Sequence, residues 1–125
     1  ASNQLWYLQP YSASINFSIK EPSTKTIRYK DGIVLHINGN IPSNAKMKWS
    51  VDGNEFKIKD SDNKSCLLVS QNDGYATVVA TLYDSNNKVI GTTSIELHSK
   101  AGFSDKFGGF FRVLFGTTKI HDAYK

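Results

Sequence analysis

The side chains with reactive potential in this sequence are few and scattered. There is one cysteine, Cys66, and there are three histidines, His36, His98 and His121, far apart along the chain. A lone thiol makes neither an internal disulfide nor a thiolate zinc site. Cys66 opens the apolar run Cys66-Leu-Leu-Val69, with no helix start to lower its pKa, so it reads as a structural, inert residue. His36 and His98 fall by parity on the polar sides of their segments. No Ser-His-Asp order with a glycine-flanked nucleophile occurs. The segment Asp60-Ser-Asp62-Asn63-Lys64 begins like a calcium loop. However, Lys64 takes a ligand slot, Ser65 stands at the central glycine position and Gln71 replaces the bidentate acid. Asn16-Phe-Ser18 and Asn63-Lys-Ser65 match the glycosylation triplet, which is common by chance. Gly108-Gly109 lies inside an apolar run and not between a strand and a helix, so it is no phosphate loop. No catalytic residue, metal or cofactor is expected, and the chain reads as non-enzymatic.

Binding chemistry is better represented. Lys46, Lys48, Lys57 and Lys59 could line up as a positive strip, but no aromatic residue interleaves them as nucleic-acid stacking requires. Lysines on solvent faces of strands also discourage edge pairing, so no nucleic-acid partner is expected. Trp6, Tyr7 and Tyr11 precede the first strand and form a candidate stacking platform for a glycan, or pack on the end of the domain. The third feature is Phe103, Phe107, Phe110, Phe111, Leu114 and Phe115, whose spacing predicts an amphipathic helix with an apolar stripe. Gly108 and Gly109 interrupt it, at about 0.8–1 kcal/mol each relative to Ala, so this helix needs something to pack against. It would dock on the rest of the domain, bury its stripe against a neighbouring domain or chain, or lie on an anionic membrane.

Whatever positions these groups must come from the rest of the chain. Its 125 residues make one domain's worth. Hydrophobic residues reach 39% and charged residues 21%, enough for one core and too little charge for a disordered chain. No apolar run approaches the ~18 residues of a membrane span. The first residues lack the basic start and apolar run of a signal peptide, so an extracellular chain is expected to be a piece of a longer precursor. The net charge is +4, and Lys100, Lys106, Arg112 and Lys119 against Asp105 place +3 of it in the tail.

From Ile15 to Leu97 the apolar residues alternate in short runs broken by turn signals, the pattern of an all-β sandwich with seven or eight strands. Ile15, Phe17 and Ile19 alternate up to Pro22. Ile33, Leu35 and Ile37 share a face, and Asn38-Gly39-Asn40 is expected to end that strand. Met47, Trp49 and Val51 alternate with Lys46, Lys48 and Ser50. Val78, Ala80 and Leu82 face one way, and Ile95 and Leu97 close the series. Trp49, Leu35, Val78, Ala80 and Leu82 are the expected core. The chain thus divides into an aromatic lead-in over 1–14, a sandwich over 15–98, and a helix with tail over 99–125.

Several strings carry a family resemblance. Pro22-Ser-Thr-Lys-Thr-Ile-Arg-Tyr-Lys-Asp-Gly-Ile-Val-Leu-His36 resembles the first third of a bacterial immunoglobulin-like domain of the group 2 type. Ala45-Lys-Met-Lys-Trp-Ser-Val51 resembles that family's tryptophan strand, and Asn72-Asp-Gly-Tyr-Ala-Thr-Val-Val-Ala80 its glycine and alanine-threonine-valine signature. The stretch from Ser99 to Lys119 is similar to an extension that follows such domains in Gram-positive surface proteins. The resemblance spans about residues 15–119. It implies an immunoglobulin-like sandwich with a C-terminal amphipathic helix, placed outside the cell at a bacterial surface. The implied role is that of a stalk or adhesion module in a longer chain, with neighbouring domains and a protein or glycan partner. Domains of this kind also decorate phage tails and capsids. The animal immunoglobulin disulfide has no counterpart: Leu35 or Ile37 and Val78 or Ala80 stand at the matching strands. Tyr75 points opposite to Val78, so no tyrosine corner is carried over.

Overall fold

In a computed structural model, which describes residues 16–103, 106 and 120–122, period-two alternation builds two stacked sheets. The strands are β1 (Asn16–Ile19), β2 (Thr26–Arg28), β3 (Gly32–Asn40), β4 (Lys46–Val51), β5 (Phe56–Ser61), β6 (Ser65–Ser70), β7 (Gly74–Tyr83), β8 (Val89–Lys100) and β9 (Ile120–Asp122). One sheet runs β1-β3-β6-β5, with β9 also paired to β3; the other runs β2-β8-β7-β4. If β1 and β3 to β8 are lettered A to G, the sheets become ABED and GFC. That strand order is the Greek key of an immunoglobulin-like sandwich.

The inner faces are those the alternation predicts. Ile33 and Leu35 of β3, Leu68 of β6, Val78, Ala80 and Leu82 of β7 and Leu97 of β8 have no solvent exposure. Trp49 is buried between the sheets, and Phe56 and Cys66 join the same core. The facing of Cys66–Val69, ambiguous in an all-apolar run, is set by the pleat. Cys66 and Leu68 point inward, while Leu67 and Val69 are half-buried on the outer side.

The first strand is shared between the sheets. β1 pairs antiparallel with β3 over Ile37–Asn40, and the chain then crosses at Pro22 so that β2 pairs parallel with β8. Pro22 has no N–H to offer a ladder and suits the crossing. The turn signal Asn38-Gly39-Asn40 does not end β3, as its composition suggested; these residues are paired with β1. Gly39 has φ +118°, and a Cβ there would collide with the Asn16 carbonyl oxygen and lie 2.7 Å from Phe17 Cα. Glycine at this point admits the neighbouring backbone and does not break the strand.

The tail was expected to be helical. Phe103 and Lys106 have helical backbone, and the Lys106 N–H donates to the Gly102 carbonyl at 2.9 Å. The remaining stripe residues, Phe107, Phe110, Phe111, Leu114 and Phe115, lie outside the described residues, as do Trp6, Tyr7 and Tyr11. The strand β9 has no counterpart in the sequence pattern, because Ile120-His-Asp122 carries too few residues to show a period.

Candidate interaction surface

The polar side chains of the calcium-like string hydrogen-bond to their own loop and to the strand beside it. Asp62 Oδ1 accepts the Lys64 N–H at 2.8 Å, the Ser65 N–H at 2.8 Å and the Ser65 hydroxyl at 3.1 Å. These bonds, the one from Lys64 first, hold the Asp62 carboxyl below its ordinary pKa. Asp60 accepts the Ser61 N–H, and Asn63 clamps the neighbouring strand, accepting from Met47 N–H and donating to the Ala45 carbonyl. The Trp49 indole N–H donates to the Asp62 carbonyl at 2.8 Å and ties the same loop to the core. The calcium-like string is therefore a self-satisfied turn bolted to β4. Val34, Asp60, Asp62, Ser65 and Leu67 line a groove of about 210 Å³ beside it. Among the described residues no group of His, Cys, Asp and Glu is placed to hold a metal ion.

Other loops follow the same rule. Asp52 accepts the Thr77 N–H, Asp73 the Ala101 N–H, and Asp84 the N–H groups of Asn86 and Lys88. Such aspartates offer the backbone a local partner where the ladder stops. Cys66 is 1% exposed, and burial, with Asp60 and Asp62 adding to it, pushes its thiol up to about 12. It is a core residue, held as the neutral thiol.

The four strand lysines divide between the sheets. Lys46 and Lys48 lie on β4 and Lys57 and Lys59 on β5, each the edge strand of its sheet. All four are exposed. Their position fits protection of the edges against pairing with another chain.

A denser grouping lies where β2 and β8 end. Arg28 and Lys100 are register partners, and the Tyr29 N–H donates to the Lys100 carbonyl. The turn that follows has Lys30 in the left-handed region at φ 72°, with the Asp31 N–H donating to the Arg28 carbonyl. The Lys30 N–H donates to the Ser70 carbonyl and the Ser70 N–H to the Asp31 carbonyl, which fastens the turn to β6. The Tyr29 ring has Lys30 Nζ at 5.3 Å and Lys106 Nζ at 5.9 Å from its centroid. Arg28, Lys30, Lys100 and Lys106 are exposed, and Phe103 is 91% exposed. Two register positions earlier in β2, Thr26 opposes His98, whose ring stacks on Tyr75 at 4.4 Å and 13°. Tyr75 is 64% exposed.

This end of the domain therefore joins four cations, an aromatic ring between two of them, and an apolar side chain in water. Such a surface suits an anionic partner with an apolar component. Of the expected site residues, Phe103 is among those described, and it falls here. Sequence reasoning placed His98 on a polar face and Tyr75 opposite to Val78 without joining them, and it did not single out Tyr29.

No family model matches the sequence, and no curated protein matches it. Several solved structures are similar to it. They include fibronectin(III)-like modules of CbhA from Clostridium thermocellum, at 13% identity and TM-score 0.49, over 69% of this chain and 98% of that one. The PKD domain from the KIAA 1837 protein is similar at 11% identity and TM-score 0.48, over 66% of this chain and 85% of that one. Murine CRIg is similar at 9% identity and TM-score 0.44, over 70% and 98%. The fold assignment rests on the strand order given above.

Proposed function

We propose that the chain is a non-enzymatic immunoglobulin-like module of a bacterial cell-surface protein, serving as a structural stalk or as an adhesion and protein-interaction unit. The observation that carries this reading is how the polar side chains are used. Asp52, Asp60, Asp62, Asp73 and Asp84, in loops or, for Asp60, near the end of β5, each spend a carboxylate oxygen on a backbone N–H. A sandwich whose loops are committed to their own geometry is suited to transmit force or present a surface. The bacterial-surface setting is supported by the ordered group 2 strings in the sequence. Its partners on this reading are neighbouring domains and a protein or glycan at the cell surface. The test is brief trypsin treatment of intact source cells. Tryptic peptides such as Ser65–Lys88 should appear in the supernatant before lysis; their release only after lysis would overturn the surface placement.

A second reading is favoured by one observation, the exposure of Phe103 beside Lys100 and Lys106. On it the module contacts an anionic membrane through residues 103–115, arranged as an amphipathic helix. Glycan binding by Trp6, Tyr7 and Tyr11 is a further alternative, and a glycan array with the whole chain tests it.

A further inference from the structure

Because the first strand is divided between the sheets, β1 covers β3 only over Ile37–Asn40. The remaining edge of β3 is taken by β9, which runs parallel and pairs Ile120 with Gly32, His121 with Ile33 and Asp122 with Val34. We propose that the Gly32–Val34 edge is an acceptor site for a parallel extended strand, and that Ile120–Asp122 of a second copy can fill it as the chain's own strand does.

The site has a shape as well as a ladder. A Cβ on Gly32 would lie 3.5 Å from Ile120 Cγ1, 3.3 Å from Leu67 Cδ1 and 3.2 Å from the Leu68 carbonyl oxygen. The missing side chain thus leaves a shallow notch bounded by Leu67 and the Leu68 carbonyl, with Ile120 in ordinary van der Waals contact across it. In strand addition of this kind the main chain supplies affinity and such notches supply selectivity. Asp at the Ile120 position, a poor strand former, would give up the apolar contact with the Gly32 edge.

The occupant is held lightly. Its pairing is three residues long and Ile120 remains 65% exposed. A short edge strand is a low-stability element that opens before the rest of the fold. Fully extended, the chain between Ala101 and Ile120 would span roughly 60 Å, several times the ~14 Å radius of gyration expected for a domain of this size. A tail of that reach can deliver its strand to a neighbouring copy, and exchange of an identical element is an inexpensive route to association.

The test uses the full chain. In isotope-labelled Ile120→Asp protein, the β3 amides that face the slot should exchange roughly tenfold faster or more than in the unaltered chain, with the rest of the spectrum preserved. Excess unlabelled wild-type chain should then shift the Gly32, Ile33 and Val34 signals and restore their protection. Excess unlabelled Ile120→Asp chain should do neither. A labelled chain carrying both Gly32→Val and Ile120→Asp should no longer capture the wild-type strand. Should Ile120→Asp perturb the fold, Ile120→Ala is the milder substitute with the same readout. Unchanged exchange in the Ile120 variant would overturn the slot, and failure of the wild-type chain to restore protection would overturn its filling by a second copy.

Discussion

Ser70 on β6 and Ser99 on β8 meet hydroxyl to hydroxyl at 2.5 Å, and neither has any solvent exposure. The strands belong to opposite sheets, so this bond crosses the core. The sandwich has no disulfide there or elsewhere among the described residues, its cysteine being free. The two hydroxyls form a polar link between the sheets, set among the apolar side chains of the core.

That link makes the first prediction. Ser70→Ala or Ser99→Ala alone leaves one buried hydroxyl unsatisfied and should cost about 1–3 kcal/mol. Replacing both removes the orphan, so the double variant should lose clearly less than the sum. Urea unfolding of the four proteins gives the coupling directly.

Gly39 makes the second. Any side chain there meets the β1 backbone while the residue holds φ +118°. Gly39→Ala should cost at least about 1–3 kcal/mol in backbone strain, with the clash added to it. Amide exchange should quicken in β1 first, because detaching four residues relieves the collision. Uniform loss across all strands would contradict this.

The third concerns the loop fastened by Trp49. Trp49→Phe keeps an apolar ring but removes the donor to the Asp62 carbonyl, and should cost about 1 kcal/mol beyond any packing loss. Asp62 adds a pH dependence of known sign. Its folded pKa lies below 3.8, so its contribution is present above that value and is lost as pH falls through the lower folded value. Asp62→Ala should therefore flatten the acid limb of the stability profile. An unchanged limb would mean that other carboxylates set it.

Cys66 titrates in the opposite sense. Its thiol is neutral in the fold up to about 12 and ionises near 9.0 when exposed. Between those values the unfolded chain holds fewer protons, so stability should fall as pH rises through that window. Cys66→Ala should remove this component of the alkaline decline. In the folded protein the thiol should resist a disulfide reagent at pH 8 until denaturant is added.

The basic end of the domain is tested by lipid. Vesicles containing phosphatidylserine should float the whole chain more strongly than neutral vesicles if this end contacts membranes. Phe103→Ser combined with Lys106→Glu should reduce that flotation several-fold, since each basic residue near such a surface contributes about 1 kcal/mol. Equal flotation of the variant would remove Phe103 and Lys106 from the contact.

Much of the sandwich was legible because its signals are local. Alternation in Met47-Lys-Trp49-Ser-Val51 and in Ala76-Thr-Val78-Val-Ala80 reports which side faces the core without reference to any other strand. Leu35, Trp49, Val78, Ala80 and Leu82 are buried where that parity put them. The misreadings came from residues whose role is to meet a distant backbone. Asn38-Gly39-Asn40 has the composition of a turn, yet Gly39 is glycine because Asn16 and Phe17 approach it. The Asp60–Lys64 string has the composition of a ligand loop, yet its oxygens face its own amides.

By itself the sequence determined the all-β class, the inward faces of the main strands, the absence of an inter-sheet disulfide and the concentration of positive charge near the tail. Tertiary structure alone decided that the first strand divides between the sheets, that β9 takes the edge so left open, and that Ser70 finds Ser99. It also gathered Arg28, Tyr29, Lys30, Lys100 and Lys106 at one end. The physical reason lies in the range of the forces. Burial parity is written in consecutive residues, whereas a ladder partner or a cross-core hydroxyl is chosen only when segments far apart in the chain are brought together.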